Sequence, residues 1–209
     1  MRDPERMVGA FCDELPFAFG WIAFEPARLE RASHALVDGE RVWLVDPVEI
    51  DGLDERIAAS GTPAGVVQLL DRHGRDSARL AERYDVPLWT TPFGGVGGAP
   101  FELLRLVDFP LWREAALWWP ERRTLVVSDA LGTASYFLGP GELLAVHPLL
   151  RLRPPRALAG LEPEHVLCGH GRGVHGPDAD RALHDALRTA RRRVPSWLGG
   201  LLRSAGPQR

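Results

Sequence analysis

Side chains of two chemical types, carboxylate and imidazole, follow four segments of the sequence that have the composition of strands. They are Asp46 after RVWLV, His73 and Asp76 after VVQLL, Asp129 after LVVS, and His170 after HVLC. Ligands of α/β proteins gather beyond the carboxyl ends of strands, and these side chains are the types that bind zinc, iron or manganese. The sequence therefore predicts a metal site, provided that the fold brings these residues together.

Each of these residues also has a purely structural interpretation, which the sequence leaves open. Asp46 could simply end its strand, and Asp76 is well placed to cap the helix that follows it. His73 could be an exposed loop residue, and Asp129 could fix a turn through its own backbone. The glycines on both sides of His170 allow close backbone approach and unusual dihedral angles, which favours a functional cleft there. No spacing argument assigns the remaining histidines.

Several other kinds of site are excluded by what the sequence lacks. All 25 basic residues are arginine, and a chain without lysine has no Schiff-base nucleophile and no phosphate-loop lysine. The glycine-rich loop at 90–100 matches neither phosphate-binding pattern and is interpreted as a surface loop, and no Gly-x-Ser-x-Gly elbow is present. Cys168 lies near His170 without an oriented base, so it is interpreted as a core residue.

The composition is that of an ordinary globular protein, with 45% hydrophobic residues, 25% charged residues and a formal net charge of −3. With only two cysteines, a disulfide scaffold is excluded and a reducing cytoplasm is the expected location. No apolar run approaches the length of a membrane span, and the charged start does not resemble a secretory signal. We therefore expect no membrane partner.

The apolar pattern changes character along the chain. The first part predicts alternating strands and helices that form a parallel sheet, with strands at 41–46, 65–70 and 86–90 and helices at 51–59 and 75–84. The second part predicts hairpin-style strands at 102–107, 115–119, 124–128 and 142–146, a strand at 165–168 and a helix at 178–193 that Pro195 ends. One domain is expected over residues 1–194, followed by a short Gly- and Arg-containing tail at 195–209.

Four of these segments, in this order, resemble the metallo-β-lactamase fold superfamily. They are VWLVDP, LLDRHGRDSARLAERYDVPLW, FPLWREAALWWPERRTLVVSDALGT and HVLCGHG. The resemblance implies a four-layer αβ/βα sandwich, in which two mixed β-sheets lie face to face and helices flank them. It also implies a metal-dependent hydrolase, because such proteins typically bind two metals, often zinc, and cleave esters, amides, thioesters or phosphodiesters. Asp129 and His170 match metal ligands of the family.

The signature of the family, His-x-His-x-Asp-His, is degenerate in this sequence. If Asp76 takes the Asp place, then Arg72, Gly74 and Ser77 stand where three histidines are expected. His73 is one position out of register and could bind a metal only after a shift.

The next histidine of the family falls near residues 110–112, where this chain has Trp112 and no histidine. The candidate ligands are therefore Asp129, His170, Asp76 and His73, which are enough for one metal with an open position for water and too few for the usual pair.

Two functions remain open at this point. In the first, one zinc or other divalent metal activates water to attack an ester-like or phosphoester bond of an unknown small-molecule substrate, and Asp76 acts as a ligand or as the catalytic general base. In the second, the fold has no metal and serves as a non-catalytic binding or scaffold module. The loss of the signature histidines motivates this alternative.

The C-terminal end of the chain is strongly basic. Six arginines and no acidic residue follow Asp185, which is compatible with binding to an anionic partner or with a solvated helix end. No aromatic residues alternate with these arginines, and this argues against nucleic acid as the partner.

Overall fold

The computed structural model describes residues 7–24 and 29–204, and its two principal β-sheets lie face to face. The first sheet has the order β1-β2-β3-β4-β5-β6, with strands at Gly9–Leu15, Ala18–Ala23, Ala32–Asp38, Arg41–Val45, Thr62–Gln68 and Leu88–Thr90. The second has the order β13-β12-β9-β8-β7, with strands at Val174–His175, His165–Cys168, Thr124–Val127, Trp112–Trp119 and Glu102–Phe109. A short pair, β10 (Leu131–Gly132) and β11 (Ala145–Val146), stands apart.

The predicted parallel unit is confirmed in the first sheet. Strand β4 pairs in parallel with β5, and β5 pairs in parallel with β6. The crossover connections are helices α1 (Leu53–Ser60) and α2 (Ser77–Tyr84), because parallel neighbours need a long connection. As a result, the carboxyl ends of these strands lie along one edge of the sheet.

The four layers follow from the two-residue period of the strands. In β4, Val42 and Leu44 pack against α1 and α2, whereas Trp43 and Val45 face the second sheet. Strand β9 alternates in the same way, with Val126 between the sheets and its neighbours on the opposite face, towards helix α3 (Pro177–Thr189). The predicted sandwich of two mixed sheets flanked by helices is therefore confirmed.

Several elements differ from the sequence-based expectation. Three strands precede residue 41, where no element was predicted, and the strand expected at 142–146 is confined to Ala145–Val146. The helix predicted at 178–193 ends at Thr189, and Pro195 lies in the first turn of another helix, α4 (Val194–Ser204). Proline is accepted there because the first turn needs no N–H donor. Thus the first part of the predicted tail is helical.

Some sequence-based expectations concern residues 1–6, 25–28 and 205–209, which lie outside the described residues. They include part of the argument on the charged start of the chain and the positive charge of Arg209. No helix within the described residues combines the length and the apolar character that a bilayer crossing requires.

Candidate metal centre

Three side chains that the sequence singled out bring one potential ligand atom each to a common point. His73 Nε2 lies 3.0 Å from Asp129 Oδ1, and His170 Nε2 lies 3.1 Å from the same oxygen. All three atoms lie within 4.8 Å of one another. We call these residues the metal group, and it is the one such group among residues 7–24 and 29–204.

Strand pairing explains why Asp129 and His170 meet. Strands β9 and β12 are parallel neighbours, with Val127 opposite Cys168. Each of the two ligands follows its strand by two residues, so both side chains leave the same edge of the second sheet. A Cβ on Gly169 would lie 2.9 Å from the Ser128 carbonyl oxygen, which shows that the backbone approaches closely at this point, as expected from the glycines beside His170.

Both imidazoles are oriented by a bond to their other ring nitrogen. His73 Nδ1 lies 3.2 Å from Asp46 Oδ2, and His170 Nδ1 lies 2.8 Å from the Leu29 carbonyl oxygen. A proton on each Nδ1 leaves the Nε2 lone pairs directed at Asp129. Metal-binding histidines are typically oriented in this way.

Asp46 connects the two sheets beneath the metal group. Its Oδ1 accepts the backbone N–H of Leu69 at 2.9 Å, and its Oδ2 accepts the hydroxyl of Ser128 in addition to facing His73. Burial opposes ionisation of this carboxyl group, but His73 and Arg75 outweigh it and the pKa of Asp46 is lowered. Asp46 is therefore an ionised positioning residue and not merely the end of a strand.

The charges around the metal group require a cation between its members. Burial disfavours the ionised form of Asp129, but the imidazoles of His170 and His73 outweigh this effect and lower the pKa of Asp129. Burial and Arg75 lower the pKa of His73, but Asp129 and Asp46 outweigh them, so this pKa is raised overall. A carboxylate facing two imidazole nitrogens is stable when a proton or a metal ion lies between them.

The metal group passes a test of fit for a metal ion. Asp129 Oδ1 is buried and has no hydrogen-bond partner of normal geometry among the described residues, and an unsatisfied buried carboxylate oxygen is costly. Two imidazole nitrogens and one carboxylate oxygen are a donor set of catalytic zinc sites and of non-haem iron(II) sites, both of which keep open positions. The residues present are thus suited to one such ion.

Asp76 does not join the metal group. It occupies the N-cap position of α2, yet its carboxylate makes no capping bond. Instead, Oδ2 accepts the backbone N–H of Glu49 at 2.8 Å and Oδ1 pairs with Arg79 at 2.8 Å. A ligand or general base needs a free oxygen facing the reacting atoms, and both oxygens of Asp76 are engaged elsewhere. The expectation of such a role is corrected in favour of His73.

The positions where the family pattern calls for further histidines are filled in a different way. The Arg72 guanidinium lies 3.3 Å from Asp129 Oδ2, donates to the Leu111 carbonyl oxygen at 2.9 Å, and stacks 4.5 Å above the Trp112 ring. Trp112 is buried and donates its indole N–H to Glu114 at 2.9 Å. A cation and an aromatic ring therefore stand beside the metal group in place of ligands.

Two further residues near the metal group were not identified from the sequence. Glu114 is fully buried and accepts the Ala130 N–H at 2.8 Å; burial, together with the charge of Asp129, raises its pKa to about 7. His147 packs 4.9 Å from the Trp112 ring, and its pKa is lowered to about 4, mainly by burial. A charged residue within the apolar strand AALWW was the available signal for Glu114.

Comparisons with known proteins bear on the fold. No protein-family model matches the sequence, and no curated protein matches it either. The solved structure of the DIM-1 metallo-β-lactamase exposed to ceftazidime is similar, with a TM-score of 0.62 and 12% identity over 90% of this chain and 100% of that chain.

Two further structures give the same result. A metallo-β-lactamase from Erythrobacter litoralis has a TM-score of 0.61 and 13% identity over 90% of this chain and 98% of that chain. VMB-1 has a TM-score of 0.58 and 10% identity over 93% of this chain and 99% of that chain. The similarity extends over nearly the whole length of each structure at very low identity. The chain therefore has the metallo-β-lactamase fold, as the resemblance of its sequence segments predicted.

Proposed function

We propose that this protein is a hydrolase-like protein with a reduced metal site, in which His73, Asp129 and His170 bind one divalent metal ion. The reaction that this site suits is hydrolysis of an ester-like or phosphoester bond in a small molecule. The observation that carries the proposal is the approach of two oriented Nε2 atoms to one buried carboxylate oxygen. When bound, a metal ion supplies Lewis-acid chemistry to a carbonyl or phosphoryl oxygen.

The side chains around the metal group support this function in distinct ways. Asp46 and the Leu29 carbonyl oxygen hold the two imidazole rings in the orientation that a ligand needs. Arg72 is 45% exposed and places a fixed positive charge beside Asp129, where its free N–H groups can bind an anionic substrate group. An anionic phosphoester suits this combination better than a neutral ester.

The proposal of a single metal rests on what replaces the other ligands. Trp112 is turned into the protein interior by its bond to Glu114, and Arg72 covers its outer face. A second divalent cation beside the Arg72 guanidinium would meet like charge at short range, which is unfavourable in a partly buried site. We therefore expect one metal ion per chain.

Elemental analysis and a hydrolysis assay test this proposal together. The purified chain is dialysed against Zn²⁺ or Fe²⁺, and we expect about one metal ion per chain. His73→Ala should lose the metal and the hydrolysis of bis(p-nitrophenyl) phosphate, whereas His184→Ala, which alters an exposed helix histidine, should retain both. Less than about a tenth of a metal per chain in the wild-type protein would contradict the proposal, because even modest sites retain metal at excess ion.

A second candidate function is that of a metal-free binding or scaffold module. The observation that favours it is the position of His73 between two carboxylates, Asp46 and Asp129, with a raised pKa. A proton on His73 could supply the cation that the group requires. In that case neither EDTA nor excess Zn²⁺ changes the melting temperature, since a ligand that does not bind the folded state cannot stabilise it.

A further inference from the structure

A second concave surface lies between helix α3 and the loop that follows β11, and it contains no member of the metal group. This groove has a volume of about 720 Å³, which is within the range of small-molecule sites. Its floor includes Pro154, Pro155 and Leu187, and four arginines line it: Arg153, Arg156, Arg188 and Arg191. We call it the arginine groove.

The positive charge of the arginine groove is only partly neutralised. Arg188 pairs with Asp185 on the same helix, and Arg191 donates its Nε–H to the Leu152 carbonyl oxygen at 2.9 Å. The exposed side chains of Arg153 and Arg156 have no acidic partner among the described residues. Two free guanidinium groups on one loop are suited to a carboxylate or a phosphate, which they can bind through several N–H donors.

The arginine groove continues into a more apolar cleft of about 510 Å³, and the two share residues 153–156. The apolar cleft is lined by side chains that are unusually exposed for their type: Phe109 at 60%, Leu149 at 76% and Leu152 at 66%. Clustered exposed apolar side chains usually mark a binding surface. A cationic groove and an apolar cleft therefore adjoin across one loop.

We propose that this combined surface binds an anionic amphiphile, a small molecule with one carboxylate or phosphate group joined to an apolar chain. The anionic group lies between Arg153 and Arg156, with Arg188 and Arg191 on the other wall. The apolar chain crosses Pro154 and Pro155 into the cleft of Phe109, Leu149 and Leu152. Charge complementarity determines the first contact, and removal of apolar surface from water determines the second. The proposal does not depend on the function of the metal group.

The experiment measures binding of dodecyl phosphate, below its critical micelle concentration, by isothermal titration calorimetry. We expect saturable binding of one molecule per chain to the wild-type protein. Arg153→Ala/Arg156→Ala should weaken it by about tenfold or more, as expected for loss of hydrogen bonds to a charged group. Leu149→Ser/Leu152→Ser should also weaken it, through the apolar chain. The matched control Arg41→Ala/Arg122→Ala removes the same charge outside the groove and should bind like the wild type.

Two further ligands and one surface separate this proposal from its competitors. Inorganic phosphate and dodecyl maltoside each offer only half of the required chemistry, and both should bind much more weakly than dodecyl phosphate. The proposal is overturned if dodecyl maltoside binds equally well, or if the groove variants bind like the control. It is also overturned if the protein sediments with phosphatidylglycerol vesicles but does not bind the monomeric amphiphile, since the ligand would then be a bilayer surface. The melting temperature of each variant shows beforehand that it is folded.

Discussion

The chain has two buried carboxylates that each lie beside two imidazoles, and the two arrangements differ in where the nitrogens point. In the metal group, both Nε2 atoms approach the same carboxylate oxygen, Asp129 Oδ1. In the second arrangement, which we call the Asp13 cluster, His175 Nε2 lies 3.0 Å from Oδ1 of Asp13, and His34 Nε2 lies 3.7 Å from Oδ2. The nitrogens of the Asp13 cluster therefore share no oxygen.

The remaining partners of the two carboxylates differ as well. Asp13 Oδ1 accepts the N–H of Gly173 at 2.9 Å, and its Oδ2 lies 3.4 Å from the Cys12 Sγ. Both oxygens are thus satisfied by the protein itself, whereas Asp129 Oδ1 has no hydrogen bond of normal geometry among the described residues. The comparison teaches that residue type does not separate a metal site from a structural ion network. The direction of the ring nitrogens and the unsatisfied oxygen do.

The largest expected effect is on metal affinity. Asp129→Asn removes the shared anionic ligand and should lower the affinity for Zn²⁺ by more than about 100-fold, beyond the loss that removal of an outer partner causes. Asp13→Asn, the matched change in the other cluster, should leave the affinity unchanged. Competition with a chromophoric chelator measures both variants. Equal loss in the two variants would remove the distinction between the clusters.

The next effect concerns the residue that orients His73. Asp46→Asn keeps an oxygen for the Leu69 N–H but weakens the negative partner of His73 Nδ1. We expect a loss of Zn²⁺ affinity of about 10- to 100-fold, which is smaller than that of Asp129→Asn. The same chelator competition measures it. An affinity equal to that of the wild type would show that His73 is oriented by other contacts.

The Asp13 cluster should reveal itself in stability instead of metal binding. Burial opposes ionisation of Asp13, but His175 and His34 outweigh it and lower the pKa of Asp13. A lowered carboxyl pKa stabilises the folded state above the unfolded value, about 3.9, and this stability is lost as the pH falls further. Asp13→Asn should therefore cost about 2 kcal/mol at pH 7, and the difference from the wild type should narrow below pH ~4.

Urea unfolding at several pH values measures that difference directly. A constant difference between pH 7 and pH 3 would mean that Asp13 contributes through packing and not through its charge. Leu80→Ala, in the apolar core against the first sheet, is a suitable control, because its cost in stability should not depend on pH.

The smallest effect is expected at Asp76. Its carboxylate bonds to Glu49 N–H and Arg79 and lies outside the metal group. Asp76→Asn should change the Zn²⁺ affinity by less than about twofold, the usual limit for independent sites. A larger loss would restore the sequence-based expectation that Asp76 is a ligand, and would require a different loop conformation with metal bound.

Strand order explains why part of the metal group was predictable from the sequence. The apolar segments before Asp129 and His170 were recognisable as strands, and the carboxyl ends of parallel neighbours meet at one edge. The β-α-β-α-β unit also followed from the periodicity of residues 41–90, because short connections restrict its topology. These features depend on local pattern, which a single sequence contains.

Loop conformation explains what was not predictable. The loop between β5 and α2 contains Arg75 with a φ of 40°, a left-handed conformation that residue type does not dictate. It directs His73 into the metal group and Asp76 towards Glu49, the reverse of the roles that the family signature favoured. Glu114 and His147 approach the site only through the packing of the second sheet and the loop after β11, so their spacing along the chain carried no signal.

An anomalous difference map of a crystal grown with Zn²⁺ tests the central claim most directly. The account predicts one peak that lies about 2.0–2.2 Å from His73 Nε2, Asp129 Oδ1 and His170 Nε2, the bond lengths of zinc to these donors. A zinc-soaked crystal with no peak at these three atoms, or with its peak at the Asp13 cluster, would contradict it.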